Sequence, residues 1–272
     1  MSAPKRISAV DRTFTILNTL SSVSGINLED LAKKTKLAKP TVYRFLQTLK
    51  ELGYVKKDEG DRWFLTLKLF SLGARALDHI DIPSVSRPIA ERLSADLGET
   101  VHMGVLDEND AIYILKIESK YTIRMYSRLG KRIPLYCTAI GKTLLAYMDK
   151  DEQKEHISRL SLVPFTPHTI KNKTSLELEL HDIALSGIAA DREEHEEGIT
   201  CLAAPVFNYE GKAVAAISVS WPIFRFKEEK KAMYIERIQA AAAEISAILG
   251  WEQPFAGTAA PGQKTRRGQS LS

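Results

Sequence analysis

The sequence predicts an α+β chain in two unequal parts. A small N-terminal unit has three helices and a hairpin, and a larger unit packs helices on a mostly antiparallel sheet. Three observations carry this. Val42, Phe45, Leu46 and Leu49 recur at helical spacing just ahead of two short strand-like runs. Beyond Pro83, strand-like runs joined by tight turns alternate with helical ones, as in a sheet built from hairpins. The 272 residues suffice for two domains of ordinary size, and 44% hydrophobic with 26% charged residues is close to the average of globular chains.

The elements follow in order. Ser8 with Asp11 is a capping pattern that opens a first helix, on which Val10, Phe14, Leu17 and Leu20 share a face. Gly25 breaks it. Asn27 with Asp30 caps a second helix carrying Leu28, Leu31 and Ala32. Thr35-Lys36-Leu37-Ala38 is a turn. Pro40 suits the first position of a third helix, where its missing N–H would be unpaired anyway, and Gly53 is placed to end that helix after Leu52. Tyr54–Lys57 and Arg62–Leu65 form a hairpin around Asp58-Glu59-Gly60-Asp61. A helix from about Leu67 to His79 has Phe70, Ala74 and Leu77 on one stripe, suited to pairing with another subunit.

In the second unit a helix through Val85, Ile89, Leu93 and Leu97 ends at Gly98. Strands are expected at Thr100–Asp107, Ala111–Glu118, Ile188–Asp191, Thr200–Phe207 and Ala213–Ser220. Helices are expected at Ala139–Met148, Asp151–Leu160, Ser175–Leu185 and Lys227–Leu249. From Pro254 onward the chain lacks apolar periodicity and is expected to be disordered. The expected divisions are 1–65, a linker helix in 66–82, a larger domain in 83–253 and a tail in 254–272.

Charge is unevenly spread. The whole chain carries only +4, yet through Leu65 there are twelve Lys and Arg against seven Asp and Glu. Positive charge therefore sits where a phosphate-contacting module would need it, although a solvated basic face would look the same. Two cysteines, Cys137 and Cys201, make neither a disulfide framework nor a four-ligand zinc site. Met1 to Arg12 has no apolar core of signal-peptide length, and no run approaches ~18 apolar residues, so a cytoplasmic, non-membrane protein is expected.

Several catalytic patterns fail. Gly141-Lys142-Thr143 resembles the end of a phosphate-binding loop, but the required earlier glycine is Tyr136. Glu193-Glu194-His195-Glu196-Glu197 reads as a solvated loop rather than a metal site. Cys201 and His102 lack any legible base–orienter arrangement. No catalytic residue, metal or cofactor is assigned. An enzyme acting on a small keto acid, with an appended DNA-binding unit, is the rival reading from another class.

The third helix is the sharpest local signal. Opposite its apolar stripe, Pro40, Tyr43, Arg44 and Gln47 cluster with Glu51, offering a cation, an amide and a phenol of the kind that reach base edges and phosphates. Lys39 and Thr41 sit at its N-terminus, where the dipole favours a phosphate. Helix, helix, short turn, helix and hairpin is the order of a winged helix-turn-helix, in which Lys57 and Arg62 on the wing would touch backbone or minor groove.

The hairpin near the C-terminus supports a pocket. With Asn208-Tyr209-Glu210-Gly211 as the turn, Phe207 pairs with Lys212, and counting back places Cys201 opposite Ser218. Ser218 and Ser220 then share a face while Ala215, Ile217 and Val219 turn away. Three small polar groups suit a carboxylate or hydroxylated ligand, or else pack as small core residues. A sugar acid would also need a cation, for which His102 and Arg124 are the candidates.

From Thr41-Val42-Tyr43-Arg44-Phe45-Leu46 onward the chain resembles the IclR family of bacterial regulators. Leu65 to Phe70, Pro134 to Lys142, Glu196 to Cys201 and Ala204-Pro205-Val206 carry the likeness, which spans about Arg6 to Trp251. Tyr43 to Leu49 and Arg124 to Arg128 are similar to the branch that represses pectin and 2-keto-3-deoxygluconate catabolism. The resemblance implies a winged helix-turn-helix, a linker helix and a GAF-like effector domain, with dimers or tetramers on palindromic double-stranded DNA operators. It places effector-binding positions on Ala139, Ile140, Asp191, Ile199, Cys201, Ser218 and Ser220, where Asp191 would accept from ligand hydroxyls. It implies a repressor released by a small acidic metabolite. It leaves open an activator answering another keto or aromatic acid.

Overall fold

The computed structural model of the protein describes residues 8–77, 81–121 and 127–252. Its contacts divide the chain between Ile80 and Asp81. The expected end of the linker at His79 and the tail from Pro254 lie outside the described residues.

In the N-terminal unit, α1 (Ser8–Ser21), α2 (Leu28–Thr35) and α3 (Lys39–Glu51) precede β1 (Val55–Lys57), β2 (Trp63–Leu65) and α4 (Leu67–Leu77). Asn27 Oδ1 accepts the Asp30 amide at 2.8 Å and so caps α2. Lys36, in the left-handed region at φ 55°, turns the chain towards α3, whose first turn holds Pro40. Gly53, at φ 78°, lets the Tyr54 amide reach back to the Leu49 carbonyl at 2.8 Å before β1 begins. Ile26 bridges Trp63, so the chain before α2 joins the hairpin. Ile16, Leu20, Leu31, Val42, Leu46, Leu49 and Trp63 form the core.

The expected face of α1 is corrected. Ile16 and Leu20 are buried, whereas Val10 and Phe14 are 49% and 59% exposed. Two apolar stripes wind along this helix, and only the one centred on Ile16 meets α2 and β2. Phe14 has no place in this core.

In the larger unit, α5 (Ile82–Leu97) leads into β3 (Thr100–Asp107), β4 (Asp110–Ile117) and β5 (Arg132–Pro134). Next come α6 (Ala139–Ala146), α7 (Lys150–Arg159), α8 (Lys173–Ser186) and β6 (Ala189–Arg192). The unit ends with β7 (Ile199–Phe207), β8 (Ala213–Pro222) and, after a 3₁₀ turn at Glu228–Lys230, α9 (Lys231–Ile248). The three-residue β5 escapes sequence reading because it is too short to show an alternation.

The six strands form one antiparallel sheet in the order β5-β4-β3-β8-β7-β6. Helices α5 and α9 pack together against the sheet, and α6 packs against it with α8 behind. Cys201, Ala203 and Ala216 join the core under α6, with Leu144, Leu145, Leu176 and Leu180. No described helix is long and apolar enough to cross a membrane.

The register of the β7–β8 hairpin is corrected. Phe207 pairs with Ala213 rather than Lys212, and a bulge between Val206 and Phe207 adds a further residue. Cys201 therefore stands opposite Ser220, and Ala203 opposite Ser218. The total slip is two residues, one full strand period, so each side chain keeps its expected face.

Candidate nucleic-acid interface and ligand pocket

The outer face of α3 is laid bare by its own packing. Val42, Leu46 and Leu49 are buried in the core, which turns Pro40, Tyr43 and Arg44 into solvent. Thr41 and Gln47 are half-buried on the flanks of that face. The Thr41 and Val42 amides already bond the Ala38 carbonyl, at 2.8 and 3.1 Å, and Pro40 has no N–H. What this helix end offers a phosphate is therefore its dipole and the exposed Lys39 side chain. Lys39, Tyr43 and Lys57 line one groove with Asn27, Asp61 and Trp63.

The two wing cations are partly engaged within the unit. Arg62 Nη2 donates to the Gly25 carbonyl at 2.8 Å, and its amide is held by Asp58 Oδ1 at 2.8 Å. Lys57 pairs with Asp61 at 2.5 Å and lies 5.7 Å from the Trp63 ring centre. Both cations remain at the surface of the hairpin.

In the larger unit, Ala139, Ile140, Asp191, Ile199, Cys201, Ser218 and Ser220 all line one cavity. Its volume is about 20 Å³, room for one water, so a larger ligand must push the lining apart to enter. Strands β4 to β8, the start of α6 and the turn after β6 build this cavity. The β6–β7 register sets Asp191 opposite Cys201, and β7–β8 sets Cys201 opposite Ser220, with Cys201 Sγ 3.2 Å from Ser220 Oγ. Thr138 caps α6 by accepting the Gly141 amide at 3.0 Å. The Ala139 and Ile140 amides, next in line, have no partner within the helix, and both residues face the cavity.

Two glycines let α6 come this close. A Cβ on Gly104 of β3 would lie 2.8 Å from Ile140 Cγ2, and one on Gly141 would lie 2.4 Å from Leu135 Cα. Behind α6, Lys142 is fully buried, its Nζ 2.6 Å from Glu194 and 2.7 Å from Glu179. Gly141-Lys142-Thr143 thus spends its lysine on an internal ion pair.

The expectation that Glu193 to Glu197 is a solvated loop is corrected. Glu194 is buried against Lys142, and its burial pushes its carboxyl above the ordinary range. His195 and Glu196 line the cavity, and burial, aided by Lys131, lowers the His195 imidazole. A charged run hides such inward turns because it has no apolar period. Tyr113, Ile133 and Thr138 also line the cavity and were not anticipated. The alternation of Ala111, Tyr113 and Leu115 in β4 and the capping position of Thr138 were the available signals.

His102 is corrected as a candidate cation. It is fully buried beside the cavity, stacked on Tyr113 at 4.6 Å, and burial lowers it to about 3, with Lys116 and Lys131 adding to the fall. The ring is neutral at pH 7. Its Nε2 lies 2.7 Å from Ser127 Oγ and its Nδ1 lies 3.4 Å from Ser220 Oγ. It orients a hydroxyl of the pocket rather than meeting an anion. Arg124 lies outside the described residues.

Residues 9–59 match the IclR helix-turn-helix domain, and residues 74–247 match the bacterial transcriptional regulator IclR C-terminal domain. The chain is 43% identical over 254 residues to the HTH-type transcriptional regulators KdgR of Escherichia coli and Dickeya chrysanthemi. The match covers 93% of this chain and 97% and 83% of those two. The solved IclR of Thermotoga maritima superposes with a TM-score of 0.61 at 33% identity, over 90% of this chain and all of that one. An exposed reading helix in one unit and a polar cavity in the other, together with matches that span both units, place this chain in the IclR family of HTH-type transcriptional regulators.

Proposed function

We propose that the protein represses genes of sugar-acid catabolism and leaves its operator when a small carboxylate of the 2-keto-3-deoxygluconate type fills the cavity of the larger unit. The observation that carries this is the convergence of Ala139, Ile140, Asp191, Ile199, Cys201, Ser218 and Ser220 on one cavity. The amides of Ala139 and Ile140, without a partner inside the helix at its N-terminus, suit a carboxylate. Ser218, Ser220 and Asp191 suit the hydroxyls of a sugar chain. The identity with the two KdgR regulators supports this choice of effector class.

Lys39, Pro40, Thr41, Tyr43, Arg44 and Gln47 read the operator from α3, with Lys57 and Arg62 on the wing. The protein acts as a homodimer or tetramer on a palindromic site, bringing two such helices to successive half-sites. The exposed Val10 and Phe14 of α1 and Leu67 and Phe70 of α4 supply apolar surface for that pairing. Effector binding shifts the arrangement of the reading heads through its differential affinity for two states.

A paired experiment tests the two halves. Arg44→Ala should weaken operator binding by tenfold or more, the loss of about 1–3 kcal/mol that follows removal of a base-reading side chain. The double variant Ser218→Ala, Ser220→Ala should bind operator normally yet need about tenfold more effector for release. Unchanged operator affinity in the first removes α3 from the interface, and normal release in the second removes the pocket.

A further inference from the structure

Among the described residues, Asp191 is the carboxylate that pairs across the sheet with the polar wall of the cavity, and its surroundings leave an arriving anion poorly matched. It is 4% exposed. Cys201 faces it from β7, Tyr113 from β4, Cys137 from the segment before α6, and Glu194, His195 and Glu196 from the turn after β6. Its Oδ1 accepts the Glu194 amide at 2.8 Å. The charged groups acting on it are Glu194 and, from α6, Lys142. Lys142 is already held by two carboxylates, Glu194 at 2.6 Å and Glu179 at 2.7 Å. Lys131, half-buried, acts on His195 and His102. A second anion entering this enclosed space would lie beside a buried carboxylate, in a medium where like charges repel strongly.

We propose that the effector enters as an anion together with one proton, and that Asp191 holds this proton, so that the neutral carboxyl donates to the ligand. This rests on the reading of the cavity as the effector site. Burial already pushes Asp191 up to about 7, against the amide bonds from Glu194 and His195 and the charge of Lys142, and the charge of Glu194 adds to the rise. Little further displacement is needed to keep it protonated near neutral pH. The ligand's own carboxylate, with an ordinary low value, stays ionised. The charge of the filled site is then that of the empty, ionised site, with one proton taken from solvent.

The test is calorimetric titration of the full chain with 2-keto-3-deoxygluconate from pH 6 to pH 8, repeated in two buffers of different protonation heat. Binding should weaken about tenfold across that range, the fall in the protonated fraction of one group titrating near 7. Proton uptake should approach one per ligand at the upper end. Asp191→Asn keeps the acceptor for the Glu194 amide but cannot ionise, so its affinity should be flat with pH and equal or exceed that of wild type at pH 8. A flat profile in wild type, or a slope that survives Asp191→Asn, overturns the proposal and leaves the effector reading standing. Absence of binding at every pH overturns both.

Discussion

Lys142→Met is expected to destabilise the larger unit by about 3–5 kcal/mol at pH 8, the cost of leaving buried carboxylates without their cation. In wild type the ammonium is fully buried between Glu194 and Glu179. Methionine fills the space but leaves Glu194, itself only 4% exposed, as an unanswered charge. The sign with pH follows. Burial already raises the Glu194 carboxyl, and without Lys142 only the Arg192 amide opposes that rise. A raised folded-state value means stability is present at low pH and lost as pH climbs through it. The deficit against wild type should therefore narrow from pH 8 towards pH 5 in urea unfolding, and Glu194→Gln added to Lys142→Met should recover much of it. A deficit independent of pH would show that the lysine contributes packing alone.

Gly141→Ala is expected to abolish the effector response. Its Cβ would meet Leu135 Cα at 2.4 Å and the Leu135 and Pro134 carbonyl oxygens at 2.6 Å, all backbone atoms that no rotamer change removes. The first turn of α6 must retreat from β5, at a cost of about 1–3 kcal/mol or more. That retreat carries Ala139 and Ile140 out of the cavity wall. The N-terminal unit has its own core, so operator binding should persist while release by ligand is lost. Release at the wild-type ligand concentration would mean that the helix start does not hold the effector.

These effects show where sequence reading reached and where it stopped. The α3 stripe was legible because Val42, Leu46 and Leu49 repeat a single period with no competitor. On α1 two apolar stripes compete, and only tertiary contact with α2 and β2 decides for Ile16 over Phe14. The polar face of β8 was legible through its period-2 pattern, but its partner on β7 was not, because turn geometry and a bulge set register from outside the strands. Cys201 and Ser220 were both named, yet their pairing required the fold. Glu194 and Lys142 were hidden for another reason. Nothing in a run of charges marks the one that turns inward to meet a cation 52 residues away. His102 was named for a charge that its own burial removes.

Release of the operator by ligand is the central property proposed for this protein. The direct measurement is the affinity of the purified full chain for promoter DNA of sugar-acid catabolic genes at one fixed salt concentration, with and without 2-keto-3-deoxygluconate. Specific binding is expected, weakened by the ligand about 5–150-fold, the usual range of coupling between two sites. Specific binding that the ligand leaves unchanged would contradict that proposal.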